Sequence, residues 1–339
     1  MLRRPLQGRL EIARLESRAL QRNALGDPNV RSLAVYLPPG YDAGGSFPVV
    51  YVLPAYPSTA LSLASDDVWK ANVFDIVDRL LANAACAAAI VVGVDGSNAF
   101  GGSQFLDSSA TGAYQTYLRD DVIPFVDQRY RTVASAHGRA MVGRSSGGFG
   151  ALRFAMDCPG HVGAVASLAG DAGFEVSLRP MFGPACVAFE GAGGFGPFAE
   201  RLRAEGPRSG GEYDAAFFVA AAAAYAPEPT APFPHAALPV DLRTAEVIPA
   251  VWERWLAQDP LVRSETQEAT DALGALTCLA LDAGNRDEYG LHFAARALAN
   301  RFRARGIAVD HTEFDGGHRG TTPRFEAVLP RVIAAIARR

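Results

Sequence analysis

Apolar residues along this chain fall into short runs separated by longer mixed segments, and that rhythm predicts its elements. Leu10–Leu20 alternates loosely between apolar and charged positions, and Arg31–Leu37 (RSLAVYL) alternates more cleanly. Gly26-Asp27-Pro28-Asn29 lies between them as a turn signal, so the two predict a hairpin. Pro38-Pro39-Gly40 stops the second strand, since proline fixes φ and removes a donor. Phe47–Leu53 (FPVVYVL) is continuously apolar, the mark of a strand buried on both faces.

Helix and strand then alternate. Ser65-Asp66-Asp67 offers caps and early negative charge for a helix running to Asn83. Ala89–Val94 is a second buried strand, and Tyr114–Tyr130 has helical spacing with Pro124 inside it. Arg139–Val142 is a short strand followed by a helix over Gly147–Cys158, which Pro159-Gly160 ends. Ala164–Leu168, Leu276–Leu281 and Ala308–Phe314 are further strands, with a helix over Leu291–Arg305 between the last two. An amphipathic helix over Pro323–Arg339 closes the chain, its basic residues near the end suiting the helix dipole. Strands separated by helices of this length predict an α/β fold with a mostly parallel sheet covered on both faces.

From Phe174 to Pro260 the rhythm breaks. This stretch holds many Gly and Pro, an alanine run at Ala220–Ala224, a Pro-rich segment at Ala226–Pro239 and a Trp-bearing helix at Val247–Leu256. Its aromatics and alanines need something to pack on, which predicts a lid or cap inserted between two strands rather than a free linker.

Composition narrows the class. The net charge is −4, against a general nucleic-acid binder that must neutralise phosphates. Hydrophobic residues are 49% and charged residues 20% of 339, as in folded globular chains. The four cysteines, Cys86, Cys158, Cys186 and Cys278, form no C-x-x-C pair, and no H-E-x-x-H is present, so neither metal nor cofactor is expected. The first residues, through Asn23, carry charges at almost every turn and no apolar stretch of signal-peptide length, and no run of about 18 uncharged apolar residues exists. A soluble cytoplasmic protein is therefore expected, with no membrane or nucleic-acid partner and with a homo-oligomer left open.

The chemistry concentrates at Gly143-Arg144-Ser145-Ser146-Gly147-Gly148, a G-x-S-x-G between a short strand and a helix. That context predicts a nucleophile elbow: a strained turn projects the serine hydroxyl, small flanking residues let strand and helix approach, and the helix N-terminus supplies free N–H groups. A Gly/Ser turn that merely opens a helix, with Ser145 or Ser146 as N-cap, is the plain alternative. A serine needs a base, and the base needs an orienting carboxylate. Of six histidines, His318 follows the last predicted strand, where open α/β sheets place their sites. His311 lies within that strand, His137 and His161 flank other elements, His235 is in the Pro-rich segment and His292 in a helix. Asp287 lies just beyond the strand Leu276–Leu281, with Glu288, Asp282 and Asp171 as rivals. The order Ser…Asp…His is that of α/β-hydrolases. The oxyanion donors expected are the backbone N–H of Ser146 and, from the loop Pro54-Ala55-Tyr56-Pro57, that of Tyr56 in preference to Ala55, since proline has none. Tyr56, Arg144 and Asp171 are expected substrate contacts. The loop Asp95–Phe105 is expected to form a pocket wall.

At these residues the chain resembles the esterase D family of α/β-hydrolases, which includes S-formylglutathione hydrolases, feruloyl and enterochelin esterases and mycolyltransferases. The matching stretches are Tyr36–Tyr41 (YLPPGY), Pro48–Leu53, Gly101–Ser109, Ile123–Thr132 (IPFVDQRYRT), Gly143–Leu152 (GRSSGGFGAL), Gly284–Glu288 and Gly316–His318. The resemblance implies a Ser145/Asp287/His318 triad on an α/β-hydrolase fold. Where the family often has His-Gly after the strand ending at Leu53, this chain has Pro54-Ala55, and its 174–260 segment is longer than in the formylglutathione branch.

The expected activity is hydrolysis of a small-molecule carboxylic ester through an acyl-enzyme. Acyl transfer to an alcohol and a non-catalytic binding role are the alternatives. Because the candidates spread from Ser145 to His318, one domain, 1–339, must hold both ends of the chain, and the surplus length becomes the insertion. Its Phe, Trp, Tyr and Ala content points to an apolar acyl or aryl group.

Overall fold

The apolar runs become the middle of one twisted sheet because each is flanked by helices that can cover both its faces. The computed structural model describes residues 5–337. The strands are β1 (Arg9–Glu16), β2 (Val30–Leu37), β3 (Val49–Leu53), β4 (Ile90–Gly93), β5 (Asp107–Ser108), β6 (Gly112–Ala113), β7 (Arg139–Arg144), β8 (Ala164–Leu168), β9 (Cys278–Gly284) and β10 (Asp310–Phe314). Eight form a sheet in the order β1-β2-β4-β3-β7-β8-β9-β10, and β5 and β6 make a separate small ribbon. β1 pairs antiparallel with β2, and β2 antiparallel with β4. The strands from β4 to β10 run parallel. The hairpin, the strands and the helix–strand alternation thus appear where the hydrophobic pattern predicts them, within a few residues at each end.

The helices are α1 (Val73–Ala82), α2 (Tyr114–Thr116), α3 (Ile123–Arg129), α4 (Ser146–Asp157), α5 (Phe174–Ser177), α6 (Phe182–Gly191), α7 (Phe195–Glu205), α8 (Gly210–Tyr225), α9 (Pro249–Leu256), α10 (Pro260–Arg263), α11 (Gln267–Gly274), α12 (Leu291–Ala304) and α13 (Phe325–Ile336). Side chains alternate across the pleat. Val49, Tyr51 and Leu53 of β3 join a cluster with Leu152 of α4 and Phe302 of α12. Val50 and Val52 join the opposite cluster with Phe74 of α1 and Val332 of α13.

Two predicted boundaries move. α1 starts at Val73, because Asn72 accepts from the Phe74 and Asp75 N–H groups while the Asp75 carboxylate accepts from Asn72 N–H, a capping box. Asp67, expected as an early-turn acid, instead accepts from Trp69 and Lys70 in a turn of its own. The predicted helix Tyr114–Tyr130 forms, but widens to a π-helix over Tyr117–Val122 just before Pro124. The basic residues expected to end the last helix, Arg338 and Arg339, lie outside the described residues.

Between β8 and β9 the chain builds a third cluster around Phe174, Phe182, Phe189, Phe218, Tyr225, Trp252 and Trp255. Helix α8 is buried along Ala220–Ala224, where small side chains let neighbours approach on every side. Buried Asp259 ties the two ends of this segment together: its carboxylate accepts from the Gly173 and Phe174 N–H groups at 2.9 and 2.7 Å and caps α10 at Leu261 N–H. The excursion leaves and re-enters the sheet layer at one point. Replacing Asp259 with Ala orphans three N–H groups, two of them in buried pairs, and is expected to lower the unfolding free energy by about 2–4 kcal/mol, read as a shift in urea midpoint. A midpoint unchanged from wild type would show that Asp259 does not hold the segment.

Candidate active site

The loops at the carboxyl ends of the parallel strands converge on Ser145. This residue sits at φ 54°, ψ −124°, a strained conformation for any side chain other than hydrogen. Two glycines make the turn possible. A Cβ on Gly143 would lie 2.1 Å from the Gly147 carbonyl oxygen, and one on Gly147 would lie 2.1 Å from the Leu53 carbonyl oxygen. Strand β7, helix α4 and the end of β3 therefore meet without side chains between them. Ser145 N–H donates to the Leu168 carbonyl at 2.9 Å, and its own carbonyl accepts from Phe149 N–H at 2.9 Å, which opens α4.

His318, on the loop after β10, stands with Nε2 3.0 Å from Ser145 Oγ and Nδ1 2.8 Å from Asp287 Oδ2. Asp287, after β9, has a fully buried side chain. Its other oxygen accepts from Tyr289 N–H at 2.9 Å. The Tyr289 ring meets the His318 ring edge-on at 5.0 Å. Glu288 does not reach the imidazole; it accepts from His318 backbone N–H at 2.7 Å and so fixes the loop that carries the ring.

The other rivals have other partners. Asp282, on β9 itself, pairs with Arg324 at 2.5 Å and accepts from Thr312 Oγ1–H at 2.7 Å. Asp171, after β8, accepts from Ser146 Oγ–H at 3.1 Å and lines the cavity. Burial pushes its pKa up to about 6, against the opposing pull of His318 and the Ser146 hydroxyl. His311 lies 3.7 Å from Glu313, His235 Nδ1 bonds the Ala231 carbonyl, and His292 stacks on Phe293. His137 is exposed and His161 sits against the Cys158 and Pro159 carbonyls.

Ser145 opens into a cavity of about 360 Å³. All the expected site residues, Ser145, His318, Ser146, Tyr56, Arg144 and Asp171, line it, except Asp287, which lies behind His318. Ser146 is the first residue of α4, so its N–H has no intrahelical acceptor. Neither the Ala55 nor the Tyr56 N–H finds an acceptor among the described residues. The Tyr56 ring both lines the cavity and packs edge-on to Tyr213 and Phe217. Its hydroxyl donates to the Phe100 carbonyl at 3.0 Å. The loop Asp95–Phe105 supports Tyr56 from behind and, as expected of a pocket-forming loop, lines a small pocket with Ala55, Tyr56 and Ser146, while the cavity at Ser145 is lined by other segments.

Sequence reading misses Leu178, Met181, Tyr213, Phe217, Tyr289 and Arg319, which are among the other lining residues. Four of them come from α5–α8 and their connections, where no motif marks which aromatic faces inward. Among the described residues no helix is long and apolar enough to cross a membrane.

Residues 27–336 match the Esterase family model, described as "Putative esterase". An esterase of Mycobacterium tuberculosis is 39% identical over 70 residues, which is 21% of this chain and only 14% of that relative's length. A solved ferulic acid esterase superposes with a TM-score of 0.63 at 17% identity, over 98% of this chain and 100% of the other. The S-formylglutathione hydrolase of Agrobacterium tumefaciens superposes with a TM-score of 0.56 at 14% identity, over 98% of each chain. These superpositions establish the α/β-hydrolase fold.

Asp171 generates a pH prediction. Its folded pKa, about 6, lies above its ordinary value of 3.8, so the folded state holds the proton more tightly than the unfolded chain. The stability this gives is fully present below about pH 4 and lost as pH rises through 6. Asp171→Asn, which never ionises, should gain on the order of 2–3 kcal/mol relative to wild type between pH 4 and pH 7, read from urea unfolding at each pH. A difference that does not vary with pH would refute the raised pKa.

Proposed function

The chain belongs to the Esterase family, and from that premise we propose that it is a serine carboxylic-ester hydrolase acting through Ser145, His318 and Asp287. The observation that carries the reading is the continuous hydrogen-bonded line from Ser145 Oγ through His318 to buried Asp287, built from loops after three different strands. His318 Nε2 takes the Ser145 proton as Oγ attacks the ester carbonyl. Asp287 accepts from Nδ1–H, fixing the tautomer and stabilising the imidazolium. The N–H groups of Ser146 and Tyr56 receive the developing oxyanion, which costs no reorganisation because both already lack partners. His318 returns the proton to the leaving alcohol. Water, deprotonated by the same imidazole, then releases the acid from Ser145.

Residues 174–260 act in this reading as a cap on a single 1–339 domain. Leu178, Met181 and Phe217 from that segment support an apolar acyl or aryl group on the substrate, held with contacts from Tyr56, Arg144 and Asp171. The geometry of the hydrogen-bonded line disfavours a non-catalytic role, since it would maintain a strained serine to no purpose. Acyl transfer uses the same groups and differs only in the acceptor.

A fluorophosphonate probe should label Ser145, and Ser145→Ala should abolish both labelling and turnover of p-nitrophenyl butyrate. Asp287→Asn should lower kcat by about 10⁴-fold through the wrong imidazole tautomer. An active, unlabelled protein would sink the proposal. A larger loss in Glu288→Gln than in Asp287→Asn would overturn the choice of acid. Butyrate esters of an added alcohol, formed by butyryl transfer, would move the reading from hydrolysis to acyl transfer.

A further inference from the structure

Arginines deep in this protein are paired with carboxylates. Arg31 lies 3.7 Å from Asp95, Arg153 2.8 Å from Asp157, and Arg139 bonds Asp127. Arg144, next to the nucleophile, departs from that rule. Its Nη1 donates to the His318 carbonyl at 3.4 Å and Thr321 Oγ1 at 3.3 Å. Its Nε and Nη2 have no acceptor, and no carboxylate lies within ion-pair reach, among the described residues. Burial works against its charge. A partly buried cation without a counter-ion is costly, and such groups mark places where a ligand supplies the opposite charge.

Arg144 also stands between two cavities. Besides the one at Ser145, it lines a cleft of about 500 Å³ that shares Ala55 with it. Lys70, the only lysine in the chain, lines the cleft without an ion-pair partner among the described residues. Ser58 and Thr322 add hydroxyls. The one carboxylate in the lining, Asp67, is already engaged by the Trp69 and Lys70 N–H groups at 2.8 and 3.0 Å. Arg79, also in the lining, is neutralised by Glu326 at 3.1 Å. With Glu326 counted, three cations face two carboxylates around the cleft, and Arg144 is the cation with no carboxylate in ion-pair reach among the described residues.

We propose that this cleft is a subsite for the alcohol half of the ester and that Arg144, assisted by Lys70, binds a carboxylate carried on it. The proposal rests on the esterase reading for which bond is cut. The two halves of an ester held at Ser145 enter the two cavities that meet beside it: the acyl group under the apolar segment, the alcohol past Ala55 and Arg144. Two free N–H vectors of one planar guanidinium suit the two oxygens of a carboxylate.

Two measurements test this. In the first, kcat/KM is compared for 4-carboxyphenyl butyrate and its neutral isostere 4-carbamoylphenyl butyrate. The ratio in wild type should fall by about tenfold or more in Arg144→Gln and severalfold in Lys70→Gln, with partial recovery in Arg144→Lys. Comparing ratios between proteins cancels the differing reactivity of the two phenols, and misfolded material contributes to neither rate. A ratio that survives Arg144→Gln overturns the proposal. In the second, 4-hydroxybenzoate and 4-hydroxybenzamide are titrated calorimetrically into the Ser145→Ala protein. The acid should bind about tenfold or more tightly than the amide, and Arg144→Gln in that background should erase the preference. Equal binding overturns the proposal. The titration needs no turnover, so absence of hydrolysis and labelling would sink the esterase reading while leaving the anion subsite decided on its own.

Discussion

The contact on which the site depends is the bare approach of helix α4 to the ends of β3 and β7. With Gly143 and Gly147 both within about 2 Å of where a neighbour's carbonyl would meet a Cβ, backbone packs on backbone, and Ser145 is left in a conformation it would not choose alone. That single contact sets three things at once. It aims Oγ at the loops beyond the strands, exposes the Ser146 N–H at a helix start, and presses the Pro54-Ala55-Tyr56 loop against the same point. Strain in one residue is tolerable because β7 lies in the interior of an eight-stranded sheet, paired on both edges.

Burial then decides what the charged groups can do. Asp287, with no exposed side-chain surface, has both carboxylate oxygens occupied, one by His318 Nδ1 and the other by Tyr289 N–H. Asp171 has only the Ser146 hydroxyl and is pushed toward the neutral form. The two buried aspartates thus differ in the number and kind of donors around each: Asp171 lines the cavity, and Asp287 lies behind His318. Asp171 would make a poor anchor for an imidazolium, which favours Asp287 in that part.

Legibility in the sequence followed the range of the interactions involved. Strands such as Ala164–Leu168 are visible because two-sided burial leaves an uninterrupted apolar run, and Ser145 because the turn admits only glycine two positions away on either side. His318 and Asp287 are visible by their position after strands. The start of α1 is misjudged because Asn72 and Asp75 cap each other more completely than Asp66 or Asp67 can, and several acidic residues in a row look alike in sequence. The lining from Leu178 to Phe217 leaves no local trace. Helix α8 is apolar on every side, so no periodicity says that Tyr213 and Phe217 turn toward Ser145 while Phe218 and Tyr225 turn inward.

The same distinction bears on where substrate choice resides. Ser145 is held by a short-range backbone constraint, the Gly143 and Gly147 approach, so it reads out of the sequence. Residues that shape the two cavities are held by long-range packing: the aromatic cluster of α5–α9, the Asp259 clamp that closes it, and the His318 and Thr321 contacts that hold Arg144 across the chain. The aromatic cluster meets α4 at Phe149, four residues past Ser145, and the Asp259 clamp bonds neither Ser145 nor its flanking glycines. The excursion between β8 and β9 can therefore change its side chains without disturbing Ser145, whereas Arg144 cannot move far, since it is the residue immediately before the turn. In the proposed reading the acyl pocket is the adjustable half of the site, and the charge at Arg144 is the half fixed by the same backbone that positions Ser145.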